Sequence, residues 1–193
     1  MSETKRINTE ILDEAIRFAT EAHKDVPRKG SNTPYILHPL EAAAIAATMT
    51  TDTEVIAAAV LHDTVEDNKS ISLNDIEEKF GTRIRNLVAS ESEEKEDDAA
   101  GSWKRRKQAT IDYLRDNATE DEKIIALGDK LSNIRAIYKD YVTIGDELWN
   151  RFNQKDKHEH GWYYKWIGEA VKSLSNYPAY EEYCELVNKV FNL

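Results

Sequence analysis

The stretch TEVIAAAVLHDTVED, residues 53–67, sets a histidine–aspartate pair, His62 and Asp63, and an acidic pair, Glu66 and Asp67, directly behind the apolar run VIAAAVL. Its alanines suit a helix that packs closely against others. The apolar run is long enough to bury the adjacent His-Asp pair, and buried charges need partners or a metal. The pattern predicts one helix through the stretch, on which Glu66 and Asp67 follow Asp63 at the spacing that shares a face, gathering imidazole and carboxylate groups within about one turn. Without a cation that crowding is electrostatically costly.

Working outward, a second histidine, His38, stands upstream in YILHP, and an aspartate with apolar neighbours, Asp129, stands downstream in IIALGDKL. Imidazole nitrogen mixed with carboxylate oxygen suits Mn, Fe, Co or Zn, whereas all-oxygen sites suit Mg or Ca. The four residues therefore point to metal-assisted hydrolysis. Each also has a plainer reading: His38 as a cap before proline, Asp129 as an ion-pair partner of Lys130 or Arg135. His23 reads as a hydrogen-bonded core histidine, and His158 and His160 fall in the polar stretch KDKHEH, so none of these three joins the metal shell.

Helical periodicity recurs along the rest of the chain. ILDEAIRFATEAH (11–23) is amphipathic, with Thr9 as a candidate cap, and KDVPRKGSNTPY (24–35) collects Pro27, Gly30 and Pro34 in a loop that carries Arg28 and Lys29. Pro39 suits the first turn of a helix over LEAAAIAATM (40–49). Ser72 with Asp75 caps LNDIEEKF, Gly81 stops it, and TRIRNLVA follows. The acidic run ESEEKEDD (91–98) reads as a solvated loop leading into WKRRK (103–107), with Lys95 able to reach toward a phosphate. Thr119 and Glu122 have capping-box spacing and open a long helix, TEDEKIIALGDKLSNIRAIYKDY, on which Asn133 lies one turn after Asp129. ELWNRF, GWYYKWIGEAVKSL and YPAYEEYCELVNKVF complete the pattern, the last with Pro178 near its start. No strand pattern competes, so the fold class is all-α, a bundle of roughly eight to ten helices.

Bulk properties narrow the function. At 193 residues and 40% hydrophobic content, the chain suits a single domain over residues 1–193. A net charge of −10, from 26 basic against 36 acidic residues, argues against nucleic-acid or anionic-membrane binding, and an anionic substrate would need local cations. Cys184 is the only cysteine, which excludes an intrachain disulfide and favours a reducing compartment. The start MSETKRINTE lacks a signal-peptide core and no run has the length of a membrane span, so a cytoplasmic protein is expected. The chain is compatible with a homo-oligomer.

RKGSNTPYILHP, AAVLHDTVED and LGDKLSNIR, in that order, resemble the HD-domain hydrolases of the RelA/SpoT type, and among them the stand-alone small alarmone hydrolases. The resemblance implies a manganese-dependent enzyme that removes the 3′-pyrophosphate of ppGpp or pppGpp, leaving GDP or GTP. It implies His38, His62, Asp63 and Asp129 as metal ligands and Glu66 and Asp67 as the acids that position and activate water. Arg28 and Lys29, Asn133 and Tyr163 match its substrate contacts. A metal lowers the pKa of bound water and polarises the phosphoryl oxygen, while a nearby carboxylate takes the proton. The chain departs from the usual pattern at Gly128, where alanine is common, and at Ser132, where histidine or tyrosine is common. Two other functions fit the same residues: an HD phosphatase acting on another nucleotide, such as NADPH or an adenosine alarmone, and a non-catalytic alarmone-binding module. The second would be expected to have lost a ligand or the acidic pair, and both are intact.

Overall fold

The computed structural model describes residues 9–91 and 102–192, so Lys95 and the acidic run beyond Glu91 lie outside the described residues. Within them the chain forms α1 (Glu10–Ala22), α2 (Leu37–Ala46), α3 (Thr53–Leu61), α4 (Thr64–Asp67), α5 (Leu73–Phe80), α6 (Thr82–Glu91), α7 (Trp103–Asp116), α8 (Glu120–Ile144), α9 (Lys157–Ala170) and α10 (Pro178–Phe191). Two short 3₁₀ turns, Gly145–Arg151 and Lys172–Leu174, flank α9. The only extended pairing among the described residues is an isolated bridge between Pro27 and Pro34, so the all-α reading holds. No helix among them is long and apolar enough to cross a membrane.

The 25-residue α8 is the axis of the bundle, packed against α2, α3, α6 and α10. Its start obeys the sequence: Thr119 and Glu122 form a reciprocal capping box that satisfies two otherwise orphaned N–H groups. Ser72 and Asp75 do the same for α5, and Gly81, at φ +86°, ends that helix in a conformation that a side chain would strain. Pro178 takes the first turn of α10. Thr9 differs from expectation, since its side chain caps no backbone N–H and faces Asp13 instead. ELWNRF folds as a 3₁₀ turn rather than an α-helix.

The largest departure concerns residues 53–67. They do not form one helix: α3 ends at Leu61 and a separate single turn, α4, begins at Thr64. The cause is local. His62 Nδ1 donates to the Ala59 carbonyl (2.8 Å) and Thr64 Oγ1 to the Leu61 carbonyl (2.7 Å), so side chains take acceptors that a continuing helix would have given to backbone N–H groups. The break leaves His62 and Asp63 at a corner, facing inward.

Helices α2 and α8 approach each other closely because Gly128 has no side chain. A Cβ there would lie 2.6 Å from the Ala42 carbonyl oxygen, a contact with rigid backbone. Alanine in a helix interior is normally worth up to about 1 kcal/mol over glycine. Here overpacking, typically about 1–3 kcal/mol, outweighs that gain. Gly128→Ala is therefore expected to lower the Tm of the metal-free protein, measured by thermal unfolding. A raised Tm would mean that the α2–α8 spacing yields easily.

Candidate metal centre and substrate cleft

Three elements converge behind the α2–α8 contact. His38 sits in the first turn of α2, His62 and Asp63 at the α3–α4 corner, and Asp129 in the middle of α8; His38, His62 and Asp129 are buried and Asp63 nearly so. His38 Nε2 lies 3.1 Å from Asp129 Oδ1 and 3.4 Å from Asp63 Oδ2. His62 Nε2 lies 3.1 Å from Asp63 Oδ2 and 3.7 Å from Asp129 Oδ1. Donors held by one cation at about 2.0–2.2 Å stand about 2.8–3.6 Å apart in tetrahedral or octahedral arrangements. Three of these four distances fall within that range and the fourth just beyond it. His38, His62 and Asp129 each offer a donor atom within 4.8 Å of the others, and Asp63 is not part of that group although its Oδ2 lies close to both histidines.

The donor chemistry fits as well. A carbonyl only accepts, so the Ala59 oxygen requires the proton of neutral His62 on Nδ1, leaving Nε2 bare. That buried Nε2 has no hydrogen-bond partner. Burial works against charge on His62, but Asp63 and Asp129 prevail and raise its pKa well above the ordinary value. Burial likewise opposes ionisation of the two aspartates, yet both are held well below the usual carboxylate range, Asp63 by His62 and His38, Asp129 by Lys130 and the histidines. Without a metal, a proton is the cation that this cluster attracts.

Neighbouring groups aim the carboxylates. Tyr35 donates to Asp63 Oδ2 (2.6 Å), and burial with the adjacent Asp63 charge keeps its phenol protonated far beyond the ordinary range. Asn133 donates to Asp129 Oδ1 (2.5 Å), while Lys130 binds the other oxygen. Asp129 thus does pair with Lys130, through the oxygen turned away from the histidines. Arg135 binds Glu41 and Glu182 instead.

A cleft of about 820 Å³ opens in front of the centre. Arg28, Lys29, Asn133 and Tyr163 all line it, as do His38 and Asp67; Glu66, half-buried, does not. The Arg28–Lys29 loop is shaped by Arg28 N–H to Thr33 O (2.7 Å) and Tyr35 N–H to Val26 O (2.8 Å), and Arg28 also donates to Asn133 Oδ1 (2.9 Å). Lys107, Arg135, Lys139 and Arg151 add cations to the wall against only three acids, Glu41, Asp67 and Asp140. The cleft is thus locally positive in a chain of net charge −10.

Several of these residues carry no distinctive signal in the sequence. His23 is buried and lines the cleft, but neither ring nitrogen has a hydrogen-bond partner, contrary to the expected satisfied core histidine. His160, set in a polar stretch, is in fact buried and stacked on Trp149 (5.1 Å), its Nε2 meeting the Gln154 carbonyl (2.8 Å). Only its place on the inner face of α9 shows this. Glu91, which opens the acidic run, ends α6 instead; burial, opposed by Lys130 and reinforced by Asp129, pushes its carboxyl up to about 7. Tyr163 is buried with its hydroxyl unpartnered, and Lys107 Nζ lies 4.9 Å from its ring centre.

Comparison with known proteins decides the family: the HD-domain profile matches residues 15–153. The chain belongs to the HD-domain family. It is 37% identical over 167 residues to the guanosine-3′,5′-bis(diphosphate) 3′-pyrophosphohydrolase MESH1 of Xenopus tropicalis, covering 85% of this chain and 84% of that protein. The human protein of the same name is 34% identical over 166 residues, 84% of each chain. Among solved structures, lmo0812 of Listeria monocytogenes superposes with a TM-score of 0.70 at 30% identity, covering 81% of this HD-domain chain and 99% of that one. A metazoan ortholog of SpoT, described as hydrolysing ppGpp, shares the fold at a TM-score of 0.72 and 22% identity, over 95% of this chain and 97% of its own.

The raised pKa of His62 makes metal uptake by this HD domain a proton exchange. A proton drawn to the metal-free centre by Asp63 and Asp129 would have to leave as a cation enters. Titration calorimetry with Mn²⁺ in buffers of different ionisation enthalpy is expected to show about one proton released per ion bound, and affinity that falls as pH is lowered. Binding without proton release would contradict the raised proton affinity assigned to the metal-free centre.

Proposed function

We propose that this protein is a Mn²⁺-dependent hydrolase that removes the 3′-pyrophosphate of guanosine tetra- or pentaphosphate, giving GDP or GTP and pyrophosphate, with residues 1–193 acting as a single HD-type unit. The observation that carries the reading is the convergence of His38, His62, Asp63 and Asp129 beside a cation-lined cleft that His38 also lines. The names of the relatives in Xenopus tropicalis and humans support the substrate. With one cysteine the chain suits a reducing compartment, and the setting we infer is cytoplasmic.

When bound, the metal would lower the pKa of a water and polarise the phosphoryl oxygen. Asp67, on the cleft wall, and Glu66 beside it orient the attacking water and accept its proton. Arg28 offers paired donors to phosphate and Lys29 a compact point charge, while Asn133 holds Arg28 toward the ligand aspartate. Tyr163, buried with a free hydroxyl, is suited to a polar group of the nucleoside. His62→Ala and Asp129→Ala are expected to lose the metal with helicity retained. Asp67→Asn and Glu66→Gln should keep the metal and lose turnover by about two orders of magnitude or more.

Product analysis tests the reaction. Without added pyrophosphatase, ppGpp should yield pyrophosphate and no orthophosphate. Orthophosphate from NADPH with no reaction on ppGpp would favour the other phosphatase reading. The double variant Arg28→Ala/Lys29→Ala should raise KM for ppGpp strongly and flatten its salt dependence while leaving bound metal unchanged. An unchanged KM and salt response would make the loop structural and move the phosphate grip to other cations of the cleft.

A further inference from the structure

The two histidines of the metal centre are oriented by different means. His62 is held by a backbone carbonyl, which no substitution can remove. His38 Nδ1 instead meets Ser132 Oγ at 2.8 Å, and Ser132 Oγ lies 2.7 Å from Glu41 Oε2. Ser132 has no exposed surface and His38 is 3% exposed, so water does not substitute for either partner. The other Glu41 oxygen accepts from Arg135 Nη1 (3.0 Å), and Arg135 in turn makes paired contacts of 2.7 Å with Glu182 on α10.

We infer that Ser132 and Glu41 are positioning residues that set the tautomer and ring orientation of His38 for metal binding, with Arg135 anchoring the relay to α10. The direction follows from donor counting. A carboxylate only accepts, so the single hydroxyl proton of Ser132 goes to Glu41. The serine oxygen then faces His38 with lone pairs and accepts from Nδ1–H. The bare Nε2 points at Asp129 and Asp63, where a cation would bind. This is the histidine–carboxylate device common behind metal ligands, with a hydroxyl inserted between ring and carboxylate. A histidine or tyrosine at position 132 would bring a larger side chain, whereas serine is small enough to sit wholly buried between α2 and α8. Glu41, its side chain 40% exposed, carries the relay to the rim of the cleft.

The inference rests on the metal reading above, and its test separates the two. Mn²⁺ affinity is measured calorimetrically on wild type, Ser132→Ala, Ser132→Thr, Glu41→Ala, Glu41→Gln and the double alanine variant, with thermal unfolding of each metal-free protein alongside. Ser132→Ala and Glu41→Ala should each weaken Mn²⁺ binding by about ten- to a hundredfold, the scale for residues that orient metal ligands. Ser132→Thr and Glu41→Gln, which keep a hydroxyl and an acceptor oxygen, should lose less. The double variant should bind no more weakly than Ser132→Ala alone, since the two act in series. Should Ser132→Ala not fold, the partly exposed Glu41 decides the matter through Glu41→Ala. Wild-type affinity in folded Ser132→Ala or Glu41→Ala overturns the relay and leaves the metal centre standing, even if Tm falls. Failure of the wild type to bind Mn²⁺, Co²⁺ or Zn²⁺ overturns both.

Discussion

Two imidazole nitrogens and two carboxylates directed at one buried point repel one another unless positive charge sits among them, and the rest of this structure is arranged around that constraint. The candidate ligands come from three elements, so the site exists only when α2, the α3–α4 corner and α8 are docked. Desolvation makes the arrangement expensive for the metal-free chain and selective for cations. Around the centre, Lys130 and Ser132 bind candidate-ligand atoms turned away from it, and Tyr35 and Asn133 donate to the carboxylate oxygens that face it.

The same economy of space explains the backbone. Gly128 lets the Ala42 carbonyl approach the axis of α8, bringing the helix of His38 against the helix of Asp129. At the corner, His62 and Thr64 use their own side chains to end α3, and the residue that breaks the helix is itself a metal-ligand candidate. Fold and chemistry share atoms here: the hydrogen bond that terminates the helix also fixes the tautomer.

Electrostatics divides the molecule into two regimes. Over the whole chain the charge is −10, which would repel a polyphosphate at long range. Within the cleft, cations from the α1–α2 loop, α7, α8 and the 3₁₀ turn after α8 outnumber acids. A screened negative exterior and a local positive wall are compatible because fields between exposed charges decay over about a Debye length, roughly 8–10 Å at moderate salt.

Much of this was legible in the chain. Helical periodicity, the capping boxes at Ser72 and Thr119, the stop at Gly81 and the start at Pro178 depend on contacts a few residues apart, so they could be read directly. The candidate ligands were legible because imidazole and carboxylate groups set beside apolar runs are drawn into the core, where a charge needs a partner or a metal. The helix break at His62 was not, because it depends on where two side chains turn for their acceptors. Nor were the burial of His160, the partial burial of Glu91, the cleft positions of Lys139 and Arg151, or the link from His38 through Ser132 and Glu41 to Arg135. The pairings in that link join residues about 90 positions apart, and which helix faces come together is decided by packing of the whole bundle, which leaves no local trace in the sequence.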